Sequence, residues 1–313
     1  MTTITAAMVK ELRDKTGAGM MDCKGALTET NGDVEQAVDW LRKKGLSKAA
    51  KKADRIAADG LIGVAVAGNT GAVVEVNSET DFVARNDTFQ SMVRDIAALG
   101  LKAEGSLDKL LAQPYPGAAE NVGDHVKEMV ATIGENMSVR RTAVLTAKTG
   151  TVASYVHNRV ADGLGKIGVL VAVESSGAGE SLAEIGRQVA LHIAAANPQA
   201  VSPEDLDQAV IERERQVYLE QAKASGKSAD IVEKMVEGRL RKEFFSQVVL
   251  LQQVFFGPGG DGKMSVEQYL KGAEKAAGAP VKIAGFIRYA LGEGIDKKSD
   301  DFSDEVAKLV KGS

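Results

Sequence analysis

A strand-like hexapeptide recurs in weakly repeated form in this chain, and each version leads into an amphipathic helix. Leu61-Ile-Gly-Val-Ala-Val66 resembles Lys166-Ile-Gly-Val-Leu-Val171. Helical spacing follows the first at Phe89-Gln-Ser-Met-Val-Arg-Asp-Ile-Ala97 and the second at Ile185-Gly-Arg-Gln-Val-Ala-Leu-His-Ile-Ala194. Strands grouped with one packed helix bury one face of each element, so the repeat predicts two related α+β subdomains. Gly285-Phe-Ile-Arg-Tyr-Ala-Leu291 offers an additional strand. Between the copies, Leu107 to Gly123 is punctuated by proline and glycine and reads as a surface loop.

At 313 residues, 44% hydrophobic and 26% charged, the chain can build two or three cores. A net charge of −4 provides no global field for nucleic acid, and aromatics at 4% are too few for a base-stacking surface. One cysteine, Cys23, excludes an internal disulfide and suits a reducing compartment. No signal peptide precedes Thr2-Thr-Ile-Thr5, and no apolar run is long enough for a bilayer. The expectation is a cytoplasmic protein without a membrane partner.

Before the first repeat, three short helices are predicted. Thr5 caps one with Met8, Val9 and Leu12 on a face, stopped by Gly17-Ala-Gly19. The second carries Met20 or Met21, Cys23 and Leu27, and ends at Asn31-Gly32, where glycine suits a left-handed position. Asp33 and Gln36 open the third, with Val34, Ala37, Val38 and Leu41 inward and Trp40 nearby. Two adjacent methionines cannot both face inward, which leaves Met20 or Met21 as an adaptable contact. Lys43-Lys44 and Lys48-Ala-Ala-Lys-Lys52 read as a charged connection onward.

Ser202-Pro-Glu-Asp205 is a helix start, with a serine cap, proline at the first position and an acid at the third. That helix runs to Ala224, about 30 Å at 1.5 Å per residue. After Ser225-Gly226-Lys227 a second runs from Ala229 to Phe244, with Ile231, Val232, Met235, Val236 and Leu240 apolar. The pair is an αα-hairpin. Its stripe packs on its own domain or forms a homodimer contact.

Glu75-Val-Asn-Ser-Glu-Thr-Asp-Phe-Val-Ala-Arg-Asn-Asp-Thr-Phe89 changes character midway. Ala72-Val-Val-Glu-Val76 is a strand, Asn77-Ser78-Glu79-Thr80 is turn-forming, and helical spacing takes over from Asp81 through Phe82, Phe89, Met92, Val93 and Ile96. Asp81-Phe82 therefore sets a carboxylate beside a ring on a rigid corner.

Catalytic chemistry finds no support. Gly257-Pro-Gly-Gly-Asp-Gly-Lys-Met264 follows an apolar strand-like run, Val248 to Phe256, with phosphate-loop spacing. Met264 stands where a magnesium-binding hydroxyl is needed and Asp261 adds negative charge, so a glycine-rich surface turn is predicted. His125, His157 and His192 lack a second ligand at metal-binding spacing. His192, between Leu191 and Ile193, reads as a packing histidine, His157 as the exposed one, and Cys23 as core filler. No nucleophile elbow or catalytic carboxylate pair stands out. The chain is predicted to bind, not to catalyse; no cofactor, metal or catalytic residue is expected.

Two clusters, Leu12-Arg-Asp-Lys-Thr-Gly-Ala-Gly-Met-Met-Asp-Cys-Lys24 and Glu75-Val-Asn-Ser-Glu-Thr-Asp-Phe-Val-Ala84, resemble signatures of the elongation factor Ts family, the exchange factors of the GTPase elongation factor Tu. Ile133-Gly-Glu-Asn136, Met235-Val-Glu-Gly-Arg239 and Gly285-Phe-Ile-Arg288 with Gly292-Glu-Gly294 match in the family's order, so the resemblance spans the chain. It implies an α+β fold: a ubiquitin-associated-like three-helix domain at 1–55, a two-part core with antiparallel sheets at 56–150 and at 151–201 plus 245–292, a coiled-coil hairpin inserted at 202–244, and a C-terminal module at 293–313.

The resemblance also implies roles. Asp81 and Phe82 enter the partner near its magnesium and phosphate site, Phe82 as a wedge and Asp81 by perturbing the groups that hold magnesium. Lys10, Arg13, Met20 and Met21, with Lys24, grip the partner from the helical bundle. Ile133, Gly134 and His157 extend the contact, and a helix over Phe302–Val310 completes it. Gly25 stands where the family often has a second lysine, and the His157–Lys166 loop is longer than the family's compact form. An adaptor that binds peptide or RNA through the bundle and the Lys48–Lys52 run is the alternative.

Overall fold

The two repeat copies form neighbouring antiparallel sheets packed face to face. The computed structural model describes residues 3–16, 18–223, 226 and 228–296, except the side chains of 46–48. The C-terminal helix expected over Phe302–Val310 lies outside the described residues.

The chain opens with helices α1 (Ala6–Thr16), α2 (Met20–Glu29) and α3 (Val34–Ala50). Thr5 Oγ1 accepts from Met8 N–H at 3.3 Å, and Asp33 Oδ1 from Gln36 N–H at 2.9 Å, so both expected caps are made. Asn31 and Gly32 adopt φ of 53° and 88°, reversing the chain between α2 and α3. Leu12, Cys23, Ala26, Leu27 and Ala37 fill a small core. The lysine-rich connection expected after residue 42 is instead helix: α3 continues to Ala50. Neither proline nor a stop residue interrupts it, and Gly45 allows contact with Ala131 on a later helix.

Next come β1 (Asp59–Ala67), β2 (Thr70–Ser78), α4 (Asp87–Gly100), α5 (Leu107–Leu111), α6 (Val122–Ile133), β3 (Met137–Thr146), β4 (Gly150–His157), β5 (Leu164–Gly165), β6 (Ile167–Glu174) and α7 (Gly179–Ala196). Then follow α8 (Gln208–Lys223), α9 (Ala229–Arg239), α10 (Ser246–Val248), α11 (Val266–Ala277) and β7 (Lys282–Ala290). One sheet has the order β3-β2-β1-β5 and the other β4-β6-β7. Ile62, Val73, Val152, Leu170 and Ala172 lie between them. The sheets approach closely because glycine faces the interface: a Cβ on Gly168 would stand 2.5 Å from Ile62 Cγ2. Phe89, Met92, Val93 and Ile96 of α4 cover one outer face, and Leu182, Ile185, Val189 and Ile193 of α7 the other.

Four further expectations are corrected. Residues 107–123 contain α5, capped by Ser106 Oγ, and put Leu110 and Tyr115 into the core rather than only looping over it. Ser202 and Asp205 do form a capping box, yet it closes only a 3₁₀ turn, because Leu206 is extended and buried. Asp207 then starts α8, its carboxylate taking Ala209 N–H at 2.8 Å. Val248–Phe256 is not a strand: α10 and a 3₁₀ turn, Leu250–Gln252, occupy it, with single bridges at Val249 and Val254.

The fourth correction concerns Phe82. The α-helix begins at Asp87, since Asn86 Oδ1 accepts from the N–H groups of Thr88 and Phe89 at 2.9 and 3.1 Å. A 3₁₀ turn, Val83–Arg85, precedes it. Phe82 therefore does not share the buried stripe of α4.

In the hairpin, Tyr218, Ala222, Val232, Val236 and Leu240 pack on one another. The stripe is thus used internally, while Val217 and Ile231 remain exposed. After α9 the helix widens into a π-helical turn, Leu240–Phe245.

Candidate functional site

The β2–α4 corner carries Asp81 and Phe82 outward on a buried footing. Val83 and Ala84 are sunk in the core beneath α4, whereas the neighbouring Phe82 is 74% exposed. Burying a phenyl ring is favourable by ~2 kcal/mol, so a ring left in water beside two buried residues is free to make a contact. Asp81 Oδ2 lies 3.6 Å from Arg85 Nη2, an exposed pair that holds the carboxylate weakly.

A second turn, between α6 and β3, grips the corner from the side. Thr80 N–H donates to Glu135 Oε2 at 2.9 Å and its hydroxyl to Oε1 at 2.6 Å. In return Asn136 N–H donates to Glu79 Oε1 at 2.6 Å. Gly134 adopts φ 95° at the C-cap of α6, and its carbonyl accepts from Lys52 Nζ. Ile133 packs partly on the core cluster.

Strand polarity brings His157 to the same end of the sandwich. Ser78 pairs with Asp59 and with Met137, while His157 pairs with Ile167, which pairs with Ala290. Lys166 Nζ, next to Ile167, donates to Gly60 O at 3.4 Å and links the two sheets there. His157 is exposed, as expected, with Nδ1 3.3 Å from the Tyr155 hydroxyl.

Lys10, Arg13, Met20, Met21 and Lys24 lie exposed on α1 and α2. Both methionines are outside, at 61% and 77% exposure, where sequence spacing predicts one. The cause is register: α2 begins at Met20, so its first inward residue is Cys23. Cys23 is buried, as expected of core filler.

Sequence spacing misses two clusters. Glu75 is fully buried within β2, where its side chain accepts from Arg140 Nη1, Arg141 Nε, Asn77 Nδ2 and Gly292 N–H. A bulge opposite Glu75 and Val76 makes this possible, because both Arg140 and Arg141 can then turn toward one carboxylate. Burial pushes the carboxyl up, but the Gly292 N–H, the Arg141 guanidinium and Asn77 outweigh it and hold it below the usual range. The signal in the sequence is an acid in an apolar strand together with paired arginines downstream.

The second cluster joins His125 to Glu120 and Glu128, with one ligand atom of each within 4.8 Å of the others. Sequence spacing sets no second ligand beside His125, and the fold brings Glu120 to it from the segment before α6. His125 Nδ1 is 3.0 Å from Glu120 Oε1, and its ring stacks on Tyr115. Burial, then the Glu120 charge, raises the Glu128 carboxyl. Hydrogen bonds inside the cluster account for its arrangement.

The third histidine, His192, is the expected packing residue. Nε2 faces Gln253 Oε1 at 2.9 Å, and Nδ1 accepts from Phe256 N–H at 3.1 Å. The glycine-rich segment 257–264 is a turn, in which Asp261 Oδ1 takes the N–H groups of Lys263 and Met264. That carboxylate uses N–H groups a phosphate loop would offer its ligand, and α11 starts only at Val266 under its own Ser265 cap.

Two comparisons bear on this arrangement. A sequence model of the family described as "Elongation factor TS" matches residues 79–293, which include the corner, the 133–136 turn and His157. The elongation factor Ts of Parvibaculum lavamentivorans is 59% identical over 312 residues, covering 100% of both chains. The chain belongs to the elongation factor Ts family. The elongation factor Ts proteins of Rhizobium etli and Bartonella henselae are 58% identical over 313 residues and 57% over 310, and each is covered along its whole length. The elongation factor Ts family is one of translation elongation and, in general, of nucleotide exchange on elongation factor Tu. No helix among the described residues is long and apolar enough to cross a membrane.

Proposed function

We propose that this protein is the guanine nucleotide exchange factor of elongation factor Tu in the cytoplasm, and that Asp81 and Phe82 are its working residues. Phe82 enters the partner near the magnesium and phosphate site, and Asp81 perturbs the groups that hold magnesium. The observation that carries the reading is Phe82 itself, an exposed ring on a corner whose next two residues are buried.

Exchange follows from linkage. A factor that binds nucleotide-free partner more tightly than the GDP form weakens GDP binding by the same factor. Burial of Phe82 supplies ~2 kcal/mol. That corresponds to a roughly 30-fold shift. Further energy comes from docking by Met20, Met21, Lys10, Arg13 and Lys24, with Ile133, Gly134 and His157 extending the core contact. Asp81 can turn to a new partner at little cost, because its pair with Arg85 is exposed and long. The factor makes and breaks no bond, and in the 257–264 turn the N–H groups of Lys263 and Met264 are already taken by Asp261.

The alternative, an adaptor for peptide or RNA, rests on the bundle and the Lys48–Lys52 run. A pull-down separates the two. An exchange factor captures a GTPase that GDP with magnesium releases, whereas an adaptor's capture is indifferent to nucleotide. A homodimer through the hairpin would rest on Val217 and Ile231, the large apolar residues exposed there among the described residues.

A further inference from the structure

We propose that Glu135, answered by Glu79, is a positioning residue for exchange: it fixes the corner so that Phe82 meets the partner already ordered. The inference rests on the reading of Phe82 above. The ladder of β2 ends at Ser78, and the 3₁₀ turn that precedes α4 begins only at Val83. Between them, residues 79–81 depend on side chains for support, while Phe82 O already accepts from Arg85 N–H at 3.1 Å. Glu135 supplies it by binding both the N–H and the hydroxyl of Thr80, two residues before Phe82. Ser78 Oγ adds a bond to Thr80 O at 3.0 Å.

The exchange of bonds is reciprocal. Glu135 holds the corner, and Glu79 of the corner holds the backbone of Asn136. Bonds to ionised carboxylates are shorter and stronger than neutral ones, and a two-point grip also fixes orientation. The same turn extends to the segment after α3. Asn136 Nδ2 donates to Arg55 O at 2.7 Å and to Ala53 O at 3.3 Å, Lys52 Nζ reaches Gly134 O, and Arg55 lies 3.5 Å from Glu79. One turn therefore anchors both the segment leading from the helical bundle and the corner that carries the wedge. Energy gained when the bundle docks is not lost in ordering the corner afterwards.

The test is a kinetic double-mutant cycle on the full chain, using stopped-flow release of fluorescent GDP from elongation factor Tu. Glu135→Ala should lower the maximal release rate on the order of ten-fold, since small misplacement of a working group is costly. The half-saturating concentration should stay within about two-fold, because the bundle contacts are intact. Thr80→Val, which removes only the hydroxyl bond, should give a smaller loss of the same kind. Glu135→Ala combined with Phe82→Ala should be no slower than Phe82→Ala alone, as both act through one ring.

A wild-type rate for Thr80→Val and Glu135→Ala beside a slow Phe82→Ala would overturn the positioning role and leave the wedge standing. So would a Glu135 effect that multiplies fully with the Phe82 effect. An unchanged Phe82→Ala rate would instead remove the reading on which the inference rests. Should Glu135→Ala lower the melting temperature sharply, Thr80→Val and Glu135→Gln decide the matter by the same comparison.

Discussion

The backbone N–H of Gly292 donates to Glu75 Oε1 at 2.8 Å, across 217 residues of sequence. That bond ties the segment after β7 to the middle of β2 and so joins the two sheets. Arg141 strengthens the joint, with Nη2 donating to Ala290 O at 3.0 Å and its guanidinium lying over the Tyr289 ring. Gly292 is required there, since its φ is 72° and a Cβ would come 2.6 Å from Ala58 O.

Removing Glu75 should therefore loosen both halves of the core. Glu75→Ala leaves Arg140 and Arg141 without their shared partner and should cost about 3 kcal/mol, the scale for breaking a buried pair. Glu75→Gln should cost less. Because the folded carboxyl lies below its ordinary value of 4.5, its contribution is full above that pH and fades as pH falls through the folded value. Thermal unfolding from pH 7 to pH 3 should show a wild-type advantage over Glu75→Gln that shrinks on acidification.

His192 gives a dependence nearer neutrality. Burial holds the imidazole below its ordinary 6.5, and protonation would set a second N–H against the Phe256 N–H. The unfolded chain thus takes up a proton that the folded chain resists, so stability is complete above about 6.5 and declines as pH falls. Melting temperatures between pH 7.5 and 5.5 should fall for wild type and fall less for His192→Gln. Equal slopes would rule out His192 as the source.

Met20 and Met21 are assigned to docking and not to displacement. Replacing both with serine should raise the concentration of factor needed for half-maximal GDP release by roughly ten-fold or more, given ~1.5 kcal/mol or above for burying a methionine. The maximal rate should hold. A lower maximal rate at unchanged half-saturation would place them in the displacement step.

Much of this molecule is legible locally. Capping residues such as Thr5 and Asp33 act within three residues of themselves, and the 61–66 and 166–171 repeat fixes its strands by composition. The interior stripe of α4 follows its period. What fails to show depends on distance or on register. Glu75 looks like one polar residue in an apolar strand until the bulge at Arg140 turns two arginines toward it. Thr80 and Glu135 stand 55 residues apart, and no periodicity links them. Phe82 fits a helical stripe on paper, and only the Asn86 cap, which delays α4 to Asp87, sets it outside. Leu206 likewise cuts short a helix that Ser202 and Pro203 announce. At the candidate site the exposed residues were readable by type, whereas the support beneath them was not.

The central claim is that Phe82 does work on the partner's nucleotide site which docking alone cannot do. The direct measurement is stopped-flow release of fluorescent GDP from elongation factor Tu at saturating factor, comparing wild type with Phe82→Ala. Loss of the ring should slow release by roughly 30-fold, the equivalent of its burial, while the variant still binds the partner. Release as fast as wild type from a variant that binds normally would contradict the account.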